Sequence, residues 1–135
     1  MPNATVLLDT DFVRLEIDTT RRIVRFTRTA APFRDLAMID STFQRIATAL
    51  AHVDRSQYGL LSDVRPAPGN NDPAFEEVIV RHRADLFRGF ARRAGLVKTL
   101  VGSLQVQRLN RQQHETEMRV FQEESDAIAY LTRGR

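Results

Sequence analysis

The residues best suited to chemistry lie where an apolar segment gives way to a turn rich in proline, glycine and asparagine. Asp63 and Arg65 fall at the exposed end of a predicted strand, where they can pair with each other or contact a partner. A predicted helix begins after the turn, and the N–H groups of a helix N-terminus favour an anion or a partner's carboxylate. The candidate partner-binding residues are Asp63, Arg65, Asn70, Asn71 and Asp72.

A purely structural interpretation of this turn stays open. Gly69 and Asn70 together are typical of a turn with positive φ, and Asp72 is a natural N-cap for the helix. If the Asp72 carboxylate occupies the capping position, it also disfavours a phosphate ligand there. Asp63 and Arg65 would then form an ion pair with no further role.

The histidines do not have the spacing of a metal site. His52, His82 and His114 stand apart in the chain, without a second ligand in a recognised pattern. His114 lies beside Glu115 and Glu117 in a polar stretch that predicts a solvated turn. His82 falls on the apolar side of a predicted helix, where we expect a hydrogen-bonded histidine in the core or at its rim.

The chain also lacks a recognisable catalytic constellation. It has no cysteine, which excludes disulfides, thiolate zinc ligands and cysteine nucleophiles. There is no glycine-rich phosphate loop, no nucleophile elbow and no carboxylate pair in a defined spacing. We therefore expect no catalytic residue, no metal and no cofactor. An enzyme of unknown type remains an alternative, because the members of a catalytic triad need not be near one another in sequence.

Length and composition indicate one ordinary globular domain over residues 1–135. Hydrophobic residues make up 42% and charged residues 27% of the 135 positions, close to globular averages. No apolar run approaches the roughly 18 residues of a membrane span, and the first residues do not form a signal peptide. These features predict a cytoplasmic protein that does not bind membranes.

The net charge of +3 does not by itself indicate a nucleic-acid partner. Every basic residue except Lys98 is arginine, and acidic residues are interspersed almost throughout the chain. No basic stripe interleaved with aromatic residues appears. We expect a solvated surface and no nucleic-acid binding.

The first half of the chain predicts a hairpin, a helix and a buried strand. Alternating apolar residues predict strands over residues 12–18 and 22–28, with a further short strand over 5–8. A helix follows Pro32, and its apolar residues recur every three or four positions. Residues 58–64 are apolar on both sides, as in a parallel strand that is covered on both faces. The apolar stripe of the helix consists of Leu36, Ile39, Phe43, Ile46, Leu50 and Val53.

The second half predicts repeated helix–strand units. We expect a helix that begins at Pro73, carries Gly89 as a bend or close contact, and ends at Gly95. Its apolar side is expected to carry Phe75, Ile79, His82, Leu86 and Phe90. A strand over 96–101, a short helix over 104–112, a strand over 117–121 and a helix over 123–131 follow. The order β-β-α-β-α-β-α-β-α predicts an α/β fold, with a mixed sheet and helices mainly on one face.

Two C-terminal runs carry a resemblance to a known family. Residues 102–108 read Gly-Ser-Leu-Gln-Val-Gln-Arg, and residues 119–131 contain Val120-Phe121, an acidic turn and an Ala-x-Ala-aromatic-Leu helix. With the element order, this pattern resembles the SpoIIAA-like branch of the STAS superfamily, the anti-sigma-factor antagonist-like domains. The order covers nearly the whole chain, while the sequence similarity is confined to the C-terminal third. Gln122 departs from the family, where a Thr or Asp cap is expected.

The resemblance implies a STAS/SpoIIAA-like fold and a non-catalytic regulatory module that binds a protein partner. In the antagonists proper, a Ser or Thr at the start of the helix after the central strand is phosphorylated. Residues 66–74 contain neither residue type here, so the phosphate switch, which adds nearly two negative charges, does not carry over. Ser62 lies inside the predicted strand, where a kinase would hardly reach it.

We therefore expect an interaction module that binds its partner through residues 66–75. A homodimer through an incompletely covered sheet face or edge is also expected. The alternative is a carrier of a small apolar ligand. It predicts a pocket of at least roughly 300 Å³ between helices and sheet, lined by Phe43, Phe75, Phe87 or Phe90.

Overall fold

The computed structural model describes residues 3–68, 72–99 and 118–133. This part of the chain forms one six-stranded mixed sheet with three α-helices and a short 3₁₀ helix, which confirms the α/β class. The strands are β1 Thr5–Asp9, β2 Val13–Asp18, β3 Ile23–Arg28, β4 Gly59–Asp63, β5 Arg92–Leu96 and β6 Arg119–Phe121. The helices are α1 Leu36–Ala49, the 3₁₀ helix Arg55–Gln57, α2 Pro73–Phe87 and α3 Glu124–Thr132.

The strands lie in the sheet in the order in which they occur in the chain. The pairs β1–β2 and β2–β3 are antiparallel, and β3 to β6 run parallel. The predicted hairpin and the short strand before it are therefore confirmed. β4 lies between β3 and β5 and is buried at all five positions, as its two-sided apolar pattern predicts.

The sheet is covered by helices on both faces. On one face, α1 and α2 pack over Leu15, Phe26 and Leu60. On the other face, α3 packs through Ala127 and Leu131 against the cluster that contains Leu61 and Leu96. Two of the three described α-helices, α1 and α2, therefore share one face of the sheet, and the closing helix α3 lies on the other.

Local side-chain hydrogen bonds fix where several elements begin. Asp35 caps α1, since its Oδ1 atom accepts the backbone N–H of Met38 at 2.8 Å. In the β2–β3 turn, the buried Asp18 carboxylate accepts the N–H groups of Thr20 and Arg21, both at 2.9 Å. Arg22 then adopts a φ of 58°. The α1 stripe is confirmed at its centre, where Ile39, Phe43 and Ile46 are buried, and Leu50, directly after the helix, is buried too. Leu36 is exposed, and Val53 lies beyond the end of α1 at Ala49.

The expected extent of α2 is wrong. The helix ends at Phe87, and Gly89 follows with a φ of +89° instead of lying within the helix. A glycine adopts this left-handed conformation easily, and it commonly terminates helices. The Arg55 guanidinium reinforces the end by donating to the carbonyl oxygens of Asp85 at 2.8 Å and of Leu86 and Arg88 at 3.2 Å each.

The following strand and the buried side of α2 also differ from the prediction. β5 starts at Arg92 instead of residue 96, so Gly95 lies inside the strand, opposite Ser62 of β4. The buried residues of α2 are Val78, Arg83, Leu86 and Phe87, whereas Phe75, Ile79 and His82 are half-buried. The helix predicted over 104–112 lies outside the described residues.

Both C-terminal elements are confirmed. β6 covers Arg119–Phe121, and α3 packs through the buried Ala127 and Leu131. No helix in residues 3–68, 72–99 and 118–133 is long and apolar enough to cross a membrane.

Candidate functional site

Four charged side chains meet at the carboxyl ends of β3 and β4. The Oδ2 atom of Asp63 accepts hydrogen bonds from Nη2 of Arg25 and Nη2 of Arg65, each at 2.8 Å. Its Oδ1 atom accepts from Nε of Arg65 at 2.9 Å. Glu124 closes the arrangement, because its Oε1 atom lies 2.6 Å from Nη2 of Arg25 and 3.2 Å from Nη2 of Arg65. These four residues, which we call the charge network, carry two positive and two negative charges.

Each member is positioned by a different feature of the fold. Arg25 lies on the same face of β3 as Ile23, the face that α3 covers further along the sheet. Arg65 folds back on Asp63, whose Oδ1 atom also accepts the Arg65 backbone N–H at 3.1 Å, as in an Asx-turn. Glu124 is the first residue of α3, where the helix dipole favours a carboxylate.

The network has a buried inner pair and a half-exposed outer pair. The side chains of Asp63 and Arg25 are 4% and 13% exposed, against 34% for Arg65 and 36% for Glu124. The expectation that Asp63 is exposed is therefore wrong. It ends an interior strand, and Arg25 and Arg65 cover its carboxylate. Arg65 remains accessible, as expected, and the two residues do pair.

The pKa of every member is shifted towards its charged form. Burial raises the pKa of Asp63, but the hydrogen bonds from Arg65 and Arg25 outweigh burial and leave that pKa below its usual value. The hydrogen bond from Arg25 lowers the pKa of Glu124, and the bond to Asp63 raises the pKa of Arg65. Burial lowers the pKa of Arg25, yet its bonds to Glu124 and Asp63 raise that pKa overall. All four side chains are charged at neutral pH.

The predicted binding turn is described only in part. Pro66 and Pro68 are exposed, and the N–H of Ala67 donates to the carbonyl oxygen of Val64 at 3.2 Å. Asn70 and Asn71 lie outside the described residues. Asp72 caps α2, because its Oδ1 atom accepts the N–H of Ala74 at 2.9 Å, and Pro73 is the first helical residue. The capping prediction is confirmed.

His82 forms the hydrogen-bonded rim contact that its position predicts. Its Nε2 atom lies 2.7 Å from Oδ1 of Asp40, and its ring stacks on Phe43 at 4.7 Å between centroids. The pair joins α2 to α1. His52 is exposed, and His114 lies outside the described ranges. Within those ranges, no three His, Cys, Asp or Glu side chains converge as a metal would need.

Ser62 lies inside β4, as expected, with 1% of its surface exposed. Its hydroxyl is buried without a hydrogen-bond partner, which agrees with a position that a modifying enzyme does not reach. The neighbouring Asp63 points to the opposite face of the same strand, towards the charge network.

The surface clefts of the described part include three with volumes of about 360, 540 and 450 Å³. The first lies between β6 and α3, and the other two lie along α1 beside β1. None of the three is lined by Phe43, Phe75, Phe87 or Phe90. Phe43, Phe87 and Phe90 are buried in the core instead, so these clefts give no support to the apolar-carrier alternative.

Sequence reasoning missed Arg25 and Glu124 as members of the site. In the sequence, Arg25 is an outward-facing residue of an alternating strand, and Glu124 is an acidic residue in the first turn of a helix. Neither pattern indicates contact with Asp63, because this contact depends on the sheet register and on the position of α3.

Comparison of the chain with protein-family models, with curated proteins and with solved structures gave no match. The protein is thus defined by its α/β class, its six-stranded mixed sheet and the charge network at the carboxyl end of β4.

Proposed function

We propose that this protein is a non-catalytic regulatory or interaction module that binds a protein partner at the carboxyl end of β4. The supporting observation is the half-exposed pair Arg65 and Glu124, which is held in place by the buried Asp63 and Arg25. The exposed Pro66 and Pro68 follow Arg65 in the chain. The resemblance of the C-terminal third to the SpoIIAA-like branch of the STAS superfamily supports the same class of function.

The charge network suits recognition because its charged groups are already ordered. Ordering a long side chain on binding costs roughly 0.5–1.5 kcal/mol. Arg65 makes three hydrogen bonds with the Asp63 carboxylate, through Nε, Nη2 and its backbone N–H. Its side chain is therefore largely ordered on folding and loses little further freedom when a partner binds. A partner meets one positive and one negative charge side by side, an arrangement that favours one orientation and one register over others.

The pKa shifts agree with a binding role. A general acid or base works best with a pKa near the working pH. The carboxyl pKa values of Asp63 and Glu124 are lowered, and the pKa values of Arg25 and Arg65 are raised. None of the four therefore gains or loses a proton readily near neutral pH.

The same proposal includes a cytoplasmic setting and a homodimer. β1 is an outer strand of the described sheet, since it pairs with β2 on one side, and an outer strand can pair with a second copy. Size-exclusion chromatography with light scattering tests the dimer. A single monomeric mass over a wide concentration range would count against it.

The binding site is tested by steric block at the exposed prolines. Pro66→Arg and Pro68→Arg place a bulky side chain one and three residues after Arg65 without removing any hydrogen bond of the charge network. Recovery of the partner in a quantitative pull-down should fall about tenfold, which corresponds to roughly 1.4 kcal/mol. The melting temperature should fall by no more than a few degrees, because exposed substitutions cost little stability and the loss of one proline from a turn costs about 0.4–1 kcal/mol.

The matched control is Thr19→Arg. Thr19 is exposed in the β2–β3 turn, before β3 begins and so at the other end of that strand from the charge network. Thr19→Arg should leave recovery unchanged. Equal recovery for all three variants and the wild type would contradict the proposed site.

A further inference from the structure

Three arginine side chains surround the ring of Tyr130 at the C-terminal end of α3. The central guanidinium carbons of Arg92, Arg119 and Arg133 lie 5.8, 5.5 and 6.0 Å from the centroid of the Tyr130 ring. We call these three residues the arginine cluster. It lies at the opposite end of α3 from Glu124 and is therefore separate from the charge network.

Only one member of the arginine cluster has an evident structural role. The Nη1 atom of Arg92 donates to the carbonyl oxygens of Tyr130 at 2.9 Å and of Arg133 at 2.5 Å, which satisfies the end of α3. Arg119 and Arg133 are exposed. Among the residues that the structure describes, no carboxylate forms an ion pair with any of the three.

The arginine cluster concentrates positive charge around one aromatic ring. Neighbouring guanidinium groups repel one another, while each is attracted to the face of the ring. Asp126 is the acidic residue that lines the adjoining cleft. Two arginines and one aspartate line the cleft, which leaves a net charge of +1 on its lining. Arg92 does not line the cleft, but its guanidinium carbon lies 5.8 Å from the centroid of the Tyr130 ring and adds positive charge nearby. A bound anion would offset this excess of positive charge.

The adjoining cleft adds an aromatic wall to these charges. It has a volume of about 360 Å³ and is lined by Arg119, Phe121, Asp126, Ala129, Tyr130 and Arg133. The rings of Phe121 and Tyr130 lie 5.7 Å apart between centroids. The cleft thus presents guanidinium groups, which bind oxyanions through paired hydrogen bonds, beside a surface on which a flat organic group can pack.

We propose that this cleft binds a small phosphate monoester whose organic group is planar. A phosphate monoester carries close to two negative charges at neutral pH, which the positively charged arginine cluster would attract. Its oxygens suit Arg119 and Arg133, and its planar group suits the wall of Phe121 and Tyr130. The volume lies at the lower end of the range for small-molecule sites.

The probes are phenyl phosphate, glycerol 3-phosphate and inorganic phosphate, titrated by calorimetry into the full chain. Phenyl phosphate binds most tightly, glycerol 3-phosphate about tenfold more weakly, and the affinity of all three falls as salt is added. Equal affinity for all three probes would contradict recognition of a planar group by the cleft. Tighter binding of a phosphotyrosine peptide than of phenyl phosphate would assign the cleft to peptides instead.

Substitutions in the cleft test whether the arginine cluster is the binding site for phenyl phosphate. Arg119→Gln and Arg133→Gln each weaken phenyl phosphate binding about tenfold, as expected for loss of a charge-assisted hydrogen bond. Asp126→Asn tightens it by removing the repelling carboxylate. Arg14→Gln, at a side chain that is 49% exposed on β2, leaves it unchanged.

The double variant Arg119→Gln/Arg133→Gln decides the location of the site. Both residues are exposed, so its circular dichroism spectrum should match that of the wild type. Undiminished binding by this folded variant would overturn the proposal, as would the absence of both heat and a rise in melting temperature for the wild type at millimolar phenyl phosphate. Should the double variant not fold, unchanged affinity in Asp126→Asn would overturn it. The partner-binding proposal is tested separately, at the other end of α3.

Discussion

Arg25 of β3 and Asp63 of β4 are diagonal neighbours across a parallel strand pair, joined by a hydrogen bond of 2.8 Å. Arg25 stands opposite Leu61 in the register, and Asp63 stands opposite Thr27. The Arg25 side chain therefore reaches two residues along β4, a diagonal that long side chains can span. Because Arg25 also contacts Glu124 at 2.6 Å, one guanidinium connects the N-terminal hairpin, the central strand and the closing helix.

Removing the Asp63 carboxylate, which accepts hydrogen bonds from both Arg25 and Arg65, should destabilise the protein strongly. Asp63→Ala leaves Arg25, whose side chain is only 13% exposed, without its buried carboxylate partner. Breaking a largely buried ion pair from one side costs about 3 kcal/mol, measured as the free energy of unfolding in urea. Glu16→Ala is the control, because the Arg14–Glu16 pair is longer, at 3.6 Å, and Arg14 is half exposed; it should cost less than about 1 kcal/mol. Similar costs for the two variants would contradict this ranking.

The contribution of the charge network to the free energy of unfolding should disappear at acidic pH. The pKa values of Asp63 and Glu124 are lower in the folded protein than in the free side chains, so the unfolded chain binds more protons near pH 4. The stabilisation is complete above the ordinary carboxyl pKa of about 4 and is lost as the pH falls through the lower folded values. The difference in unfolding free energy between wild type and Asp63→Ala should therefore shrink as the pH falls from about 5 to about 2. A difference that stays constant over this range would contradict the lowered pKa values.

The packing of α3 on the sheet should depend on the absence of a side chain at Gly59. A Cβ atom at this position would lie 3.0 Å from Cδ2 and 3.3 Å from Cβ of Leu131. Gly59→Ala should cost about 1–3 kcal/mol through overpacking, and Leu131→Ala about 2–5 kcal/mol through the cavity it leaves. In the double variant the added methyl group occupies part of that cavity, so the total cost should be about 1 kcal/mol below the sum. Additive costs would show that the two residues do not compete for space.

The end of α2 should depend on Arg55. Arg55→Ala removes three hydrogen bonds to carbonyl oxygens at the helix end and the contact of the guanidinium with Phe90, at 5.5 Å from the ring centroid. We expect a loss of about 1–2 kcal/mol in thermal or urea unfolding. The matched control is Arg88→Ala, at the residue directly after α2. Its side chain is 76% exposed and pairs with Asp85, three residues earlier, so this substitution should cost no more than about 0.5 kcal/mol. Equal losses would assign the end of α2 to Gly89 alone.

The elements with the clearest periodicity were predictable because their pattern reports one local environment. The alternation of β2 and β3 follows from one buried face, and the stripe from Ile39 to Leu50 follows from α1 lying on the sheet. The end of α2 was not predictable in this way. Leu86, Phe87 and Phe90 are all buried and continue a helical spacing, but the chain turns at Gly89. Arg55, from a distant segment, donates to the last carbonyl oxygens there.

The candidate site was predictable for the residues next to the central strand and for no others. Asp63 and Arg65 are two residues apart, so their pairing is a local property of the chain. Arg25 and Glu124 join them only because β3 lies beside β4 and because α3 starts near the carboxyl ends of these two strands. The burial of Asp63 has the same origin, since a polar residue at a strand end is exposed unless neighbouring elements cover it.

The sequence by itself determined the α/β class, the hairpin, the interior strand, the cap at Asp72 and the lack of a hydroxyl group between residues 66 and 74. These are properties of short segments, and side-chain spacing, capping and residue type decide them. The tertiary structure decided which face α3 covers, where α2 ends, that Arg25 and Glu124 join Asp63 and Arg65, and that three arginines from separate segments gather around Tyr130. Contacts between distant residues depend on strand register and helix packing, and no local pattern encodes these.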